Sequence, residues 1–131
     1  MKINDRYLFK AIDTNSVWRT GLLIALKGNR CAIEESDGSK WACDAKTLCQ
    51  CTGLKDKNGK LIWENDIVRD KEGNCYKAFW QNNYYQFSWI CVKSDIFQIG
   101  TKWDLYIWRS YEIEVIGNTF DNPELLESEE K

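Results

Sequence analysis

The chain has 131 residues, of which 44% are apolar, 29% charged and 14% aromatic, with a formal net charge of −2 and no histidine. That is one domain's worth of chain, able to bury a core without metals or disulfides. The near-zero charge gives no electrostatic case for a duplex-DNA binder, and the missing imidazole removes His-activated nucleophiles and the commonest metal ligand.

At the N-terminus, Met1-Lys2-Ile3-Asn4-Asp5-Arg6 has no apolar segment behind a basic end. The longest apolar run, Leu22 to Leu26, is too short to span a bilayer. The expectation is a cytoplasmic protein with no membrane partner, whose thiols stay reduced. Its six cysteines (Cys31, Cys43, Cys49, Cys51, Cys75 and Cys91) then read as small core hydrophobes.

Aromatic residues are abundant, with seven Trp, six Tyr and five Phe against a single proline. Wide side chains suit pleated strands. Gly28-Asn29 and Asp37-Gly38 punctuate three strands expected at roughly 17–26, 30–35 and 40–43 (boundaries uncertain by a few residues). Read as two-residue hairpin turns, they pair Leu26 with Cys31, Ile24 with Ile33, Glu35 with Lys40 and Ile33 with Ala42. Cys43, Cys49 and Cys51 follow in a C-x5-C-x-C spacing that fits no zinc knuckle. Asp56-Lys57-Asn58-Gly59 resembles half a calcium loop, but Leu54 and Asn65 occupy positions where ligands are required, so a plain Asn-Gly turn is expected.

After the Glu72-Gly73 turn, 74–91 is expected to form a hairpin turning at Asn82-Asn83. Trp80 then faces Tyr85, Ala78 faces Phe87 and Tyr76 faces Trp89, with Tyr76, Trp80, Phe87 and Trp89 inward. Phe79–Gln86 and Lys77–Ser88 take the other face. The alternative use of Lys77, Trp80, Tyr84 and Tyr85 is a stacking platform for single-stranded nucleic acid. Ser94 to Gly100 carries a possible cap but is too short to assign. Pro123 to Leu126 reads as one helical turn capped by Asp121 or Asn122, with Leu125 and Leu126 docking on the body.

The architecture expected is mainly β: antiparallel hairpins forming a small SH3-like barrel or curled sheet, with a short C-terminal helical turn. Residues 1–126 form one β domain. Residues 127–131 form an acidic flexible tail with nothing apolar to bury.

No spacing singles out a catalytic carboxylate pair among Asp56, Glu64 and Asp66. No enzyme, metal or cofactor is expected. The candidate binding segment is Thr52 to Asp66, where Lys55, Asp56, Asn58, Trp63, Glu64 and Asp66 set charges around an aromatic anchor. The plainer reading has Thr52 and Asp56 bonding nearby backbone and Trp63 facing the core beside Ile67. Lys55 and Asp56 are expected at the surface, so exchanging their charges should change folding by less than ~0.5 kcal/mol.

Two gap-free stretches resemble a known family. Cys51-Thr52-Gly53-Leu54-Lys55-Asp56-Lys57-Asn58-Gly59-Lys60-Leu61-Ile62-Trp63-Glu64-Asn65-Asp66-Ile67-Val68 is similar to the central motif of YopX-like proteins. Glu114-Val115-Ile116-Gly117-Asn118-Thr119-Phe120-Asp121-Asn122-Pro123-Glu124-Leu125-Leu126 is similar to their closing motif. Cys51 replaces the family's usual aromatic residue and Asn65 its usual glycine; asparagine is the substitute best able to hold a positive φ. The resemblance implies a phage or prophage protein of mostly β fold, acting in the host cytoplasm, with no catalytic residues to carry over. The function expected is a non-catalytic binding module for a host or phage macromolecule, with a nucleic-acid or nucleotide binder as the alternative.

Overall fold

The computed structural model describes residues 4–130, with side chains for all of these except Tyr106, Ser110 and residues 127–130. The expected tail from Glu127 onward lies outside the described side chains. Ten strands form two antiparallel sheets: β1 (Phe9–Asp13), β2 (Trp18–Lys27), β3 (Arg30–Glu34), β4 (Lys40–Lys55), β5 (Leu61–Trp63), β6 (Asp66–Arg69), β7 (Cys75–Gln81), β8 (Gln86–Lys93), β9 (Lys102–Asp104) and β10 (Glu114–Asn118). The helical content is short 3-10 turns, the last at Pro123–Glu130. The chain divides into two compact units, Met1–Gly53 and Leu54–Lys131.

In the first unit, β1 pairs with β2 on one side and β4 on the other, so β1–β2–β3–β4 closes into a partial ring. Ala11, Cys31, Ile33 and Cys43 are buried inside it, with Phe9, Leu23, Trp41 and Leu48 packed around them. Gly21 is required at the crossing of β2 and β3. A Cβ there would collide with the Glu34 carbonyl oxygen. Cys43 is fully buried, and burial, then the neighbouring Cys31, pushes its thiol up to about 11. That keeps it an unreactive apolar group at neutral pH. All six cysteines are free and buried.

The second unit holds the open sheet β10-β6-β7-β8-β9. One face buries Val68, Tyr76, Ala78, Trp89 and Cys91 with Ile62 and Ile113, and Trp103, Leu105 and Trp108 pack on them. Tyr76 and Trp108 ring centroids lie 4.2 Å apart. The other face buries Ile67, Cys75 and Val92, against which Ile116, Leu125 and Leu126 pack. The helical turn after Pro123 therefore does dock its two leucines. Ser94–Gly100 is not a helix; the Ser94 hydroxyl accepts from the Ile96 and Phe97 N–H groups and closes a bend.

Four hairpins share one turn geometry. The backbone N–H of the first residue donates to the carbonyl four residues on, and the N–H three residues on donates back. This holds for Asp13 (2.9 and 3.1 Å), Glu35 (2.8 and 2.9 Å), Asp56 (2.8 and 3.0 Å) and Asp70 (3.0 and 3.2 Å). The fourth residue is left-handed in each: Ser16 (φ 65), Gly38 (φ 88), Gly59 (φ 78) and Gly73 (φ 91). These are three-residue loops with a bulged glycine-type position, not two-residue turns. The extra residue corrects the expected register of β3 and β4. Glu34, not Glu35, faces Lys40, and Ile33 faces Trp41, not Ala42.

On β2–β3 the expected Leu26–Cys31 pair is present. Ile33 faces Leu23 instead of Ile24, because a bulge between Leu23 and Ala25 takes Ile24 out of the ladder. The β7–β8 hairpin turns through four residues, Asn82 to Tyr85, with Tyr85 at φ 53. Trp80 consequently faces Phe87, Ala78 faces Trp89 and Tyr76 faces Cys91. A shift of two residues preserves the faces, so Tyr76 and Trp89 are inward as expected. Trp80 stays on that face but is 40% exposed near the tip, stacked edge-on against Phe87 at 5.1 Å.

Candidate functional site

The Asp56–Lys60 turn is held from inside. The Asp56 carboxylate is 3% exposed; Oδ1 accepts from the N–H groups of Asn58 and Lys60, both at 2.9 Å, and Oδ2 from Val115 N–H at 2.9 Å. Lys57 N–H donates to the Ile113 carbonyl at 3.0 Å. Burial pushes the Asp56 carboxyl upward, but these backbone donors, aided by Lys60, outweigh it and hold the group below the usual carboxylate range. Lys55, Lys57, Asn58 and Lys60 are left exposed around this anchor. Lys57 and Arg69 share the Glu114 carboxylate at 3.8 and 3.4 Å.

The next turn is equally enclosed. Asn65 adopts φ 72, the left-handed geometry its position demands. Asp66 is 3% exposed and its Oδ2 accepts from Trp63 N–H at 2.8 Å. Trp63 is buried and Glu64 half-buried. The six candidate residues thus separate: Lys55 and Asn58 face solvent, Glu64 partly does, and Asp56, Trp63 and Asp66 lie inside. The expectation that Lys55 and Asp56 can exchange charge harmlessly is corrected, since a lysine at 56 would bury a cation among three backbone donors.

The Asp56 and Asp66 carboxylates accept from the backbone. Asp70 repeats the pattern, accepting from Glu72 and Asn74 N–H groups through Oδ1, and from Asn74 Nδ2 and the Tyr76 hydroxyl through Oδ2. Among the described residues no three Cys, Asp or Glu side chains are grouped to hold a metal ion.

The two sequence motifs are partners in space. β6 of the central motif pairs with β10 of the closing motif, Val68 with Val115, Ile67 with Gly117 and Asp66 with Asn118. Asp56 reaches Val115, and the Asn65 carbonyl accepts from Thr119 N–H at 3.1 Å. The closing motif also folds on itself. Asn118 N–H donates to the Asn122 Oδ1 at 3.2 Å, and Asn118 Oδ1 accepts from Phe120 and Asp121 N–H groups, both at 2.9 Å. Gly117 makes room for this, because a Cβ there would collide with the Asn122 carboxamide.

A family model described as YopX protein matches residues 8–127. The chain belongs to the YopX family. No curated protein matches its sequence. Much of the family-like signature in this YopX-family chain is therefore a fold clamp between segments some fifty residues apart.

Sequence reasoning placed the hairpin-tip aromatics of this YopX-family chain too deeply. Tyr84 is 68% and Tyr85 81% exposed. With Lys102, Trp103, Asp104, Ile107 and Gln81, Tyr84 lines an open groove of about 360 Å³. The signal was available in Gln81 and Gln86, which close the ladder and leave a four-residue loop beyond it.

Proposed function

We propose that this YopX-family chain is a non-catalytic binding module for a host or phage macromolecule, meeting an acidic surface through the Lys55–Lys60 turn. The observation that carries the reading is the buried Asp56 carboxylate, which fixes the turn through three backbone N–H groups while Lys55, Lys57 and Lys60 stay exposed. A turn fixed before binding loses little entropy on association, and its cations steer the encounter and set orientation. The absence of histidine from the chain and the engagement of the buried Asp56 and Asp66 carboxylates in backbone hydrogen bonds favour binding over catalysis. The test is capture from infected host lysate on immobilised chain, followed by mass spectrometry. A stoichiometric partner eluted by salt is expected; recovery no greater than on a blank matrix would contradict the proposal.

The exposed Trp80, Tyr84 and Tyr85 favour a second reading, a nucleic-acid or nucleotide ligand stacked at the hairpin tip beside Lys102. A co-purifying ligand would then raise the 260/280 nm absorbance ratio, and short oligonucleotides would quench tryptophan fluorescence.

A further inference from the structure

The β7–β8 tip and β9 frame the open groove lined by Gln81, Tyr84, Lys102, Trp103, Asp104 and Ile107. Packing of the core does not account for its aromatics. Tyr84 and its neighbour Tyr85 are mostly exposed, whereas Trp103 is half-buried and fixed by edge-on contacts to Tyr76 and Phe97 at 5.5 and 5.1 Å. A fixed indole beside a free phenol ring is a stacking platform, and every nucleobase presents a π-face to one.

The polar groups of the groove are held in place. Ser88 is buried; its hydroxyl accepts from Gln86 Nε2 at 3.2 Å and donates to Gln81 Oε1 at 2.9 Å. The same Gln86 carboxamide donates to Asp104 Oδ1. Among the described residues nothing bonds Asp104 Oδ2, and Lys102 has no ion-pair partner. Lys102 and Asp104 lie two residues apart in β9, on one side of the strand and about 6.6 Å apart by strand rise.

We infer, on the nucleotide reading of the hairpin tip, that this groove takes a single ribonucleotide. The base stacks on Tyr84 beside Trp103, the 5′-phosphate meets the Lys102 ammonium, and the ribose hydroxyls donate to Asp104 Oδ2. The spacing of that cation and that acceptor matches the separation of a 5′-phosphate from its own ribose diol. A carboxylate next to the groove's lysine opposes the continuous phosphates of a strand, but it suits one phosphate with a diol behind it. The 2′-hydroxyl is what distinguishes ribose from deoxyribose, and its bond to a carboxylate is charge-assisted, so the site discriminates between the two sugars.

Tryptophan fluorescence of the full chain tests this, titrated into the millimolar range with the four ribonucleoside 5′-monophosphates, their 2′-deoxy counterparts, adenosine and a short oligodeoxynucleotide. The ribonucleotides should quench saturably. The deoxy forms, and adenosine against its monophosphate, should each bind about tenfold more weakly, the loss of one hydrogen bond to a charged group. Asp104→Ala should bring ribonucleotides and deoxyribonucleotides to equal affinity, and Lys102→Ala should do the same for adenosine and its monophosphate. Both sites are exposed, and circular dichroism checks that the variants fold. Equal affinity for the two sugars in the wild type, discrimination that persists in Asp104→Ala, or quenching by the oligodeoxynucleotide alone would each overturn the inference and leave the nucleotide reading of the tip standing. No quenching by any of these ligands would overturn both.

Discussion

A buried carboxylate that accepts three backbone N–H groups stabilises more than one local turn when one of the donors belongs to a distant part of the chain. Asp56 joins its own turn, through Asn58 and Lys60, to β10 through Val115. Asp56→Ala strands those donors, all three in a part-buried setting, and should cost about 2–4 kcal/mol by urea denaturation. The pH dependence follows from the depressed folded pKa. The contribution of the ionised group is complete above its unfolded value near 3.8 and is lost as pH falls through the lower folded value. The stability gap between wild type and Asp56→Ala should therefore be constant near neutrality and shrink only in strong acid. A gap that already closes on going from pH 7 to pH 5 would show that the carboxylate is not held as described. Tyr76 illustrates the opposite direction: burial, then its hydrogen bond to Asp70, pushes its phenol far above the ordinary range, so it remains a neutral donor.

At the scale of elements, hairpin existence was legible, and register only at the Gly28-Asn29 turn, where Leu26 faces Cys31. Gly38, Gly59 and Gly73 announce turns, but a glycine at φ > 0 serves two-residue and three-residue loops alike. In the Asp13, Asp56 and Asp70 turns the three-residue loop is marked by an aspartate three residues before the left-handed position, whose carboxylate accepts two N–H groups ahead of it, while Glu35 holds that place before Gly38. Read with that rule, Asp13-Thr14-Asn15-Ser16 is also a turn, although it contains no glycine. The bulge at Ile24 left no comparable trace, since neither neighbour differs in character from it. In the closing motif, Gly117→Ala should cost about 1–3 kcal/mol through overlap with the Asn122 carboxamide. The same change should cost markedly less in an Asn122→Ala background, and additive losses in the double mutant would refute the contact. The docked C-terminal turn gives a second check. A chain ending at Leu126 should melt with the full-length protein, while one ending at Glu124 should lose ~2 kcal/mol or more as Leu125 and Leu126 leave the cluster of Ile67, Cys75 and Val92. Equal melting temperatures would show that the leucines contribute nothing.

For the whole chain, the β class and the membership of the YopX family could be read from alternation, turn density and two motifs, whereas the candidate site could be read only in part. The motif residues read as candidate contacts because they are polar and dense. Asp66 is polar for the sake of the nearby Trp63 N–H, and Asp56 for two donors in its own turn and for the distant Val115 N–H, which no local pattern reveals. Trp63 is buried as well, although it follows Ile62 directly in β5 and so points to the other face of the strand. The exposed lysines survive this sorting, and the central claim rests on them. The most direct measurement replaces Lys55, Lys57 and Lys60 together with glutamate and compares partner recovery and melting temperature with wild type. Exposed substitutions away from buried features change stability by only about 0.5 kcal/mol each. Recovery should collapse while the melting temperature moves by no more than a few degrees; undiminished recovery by a folded triple variant would contradict the account.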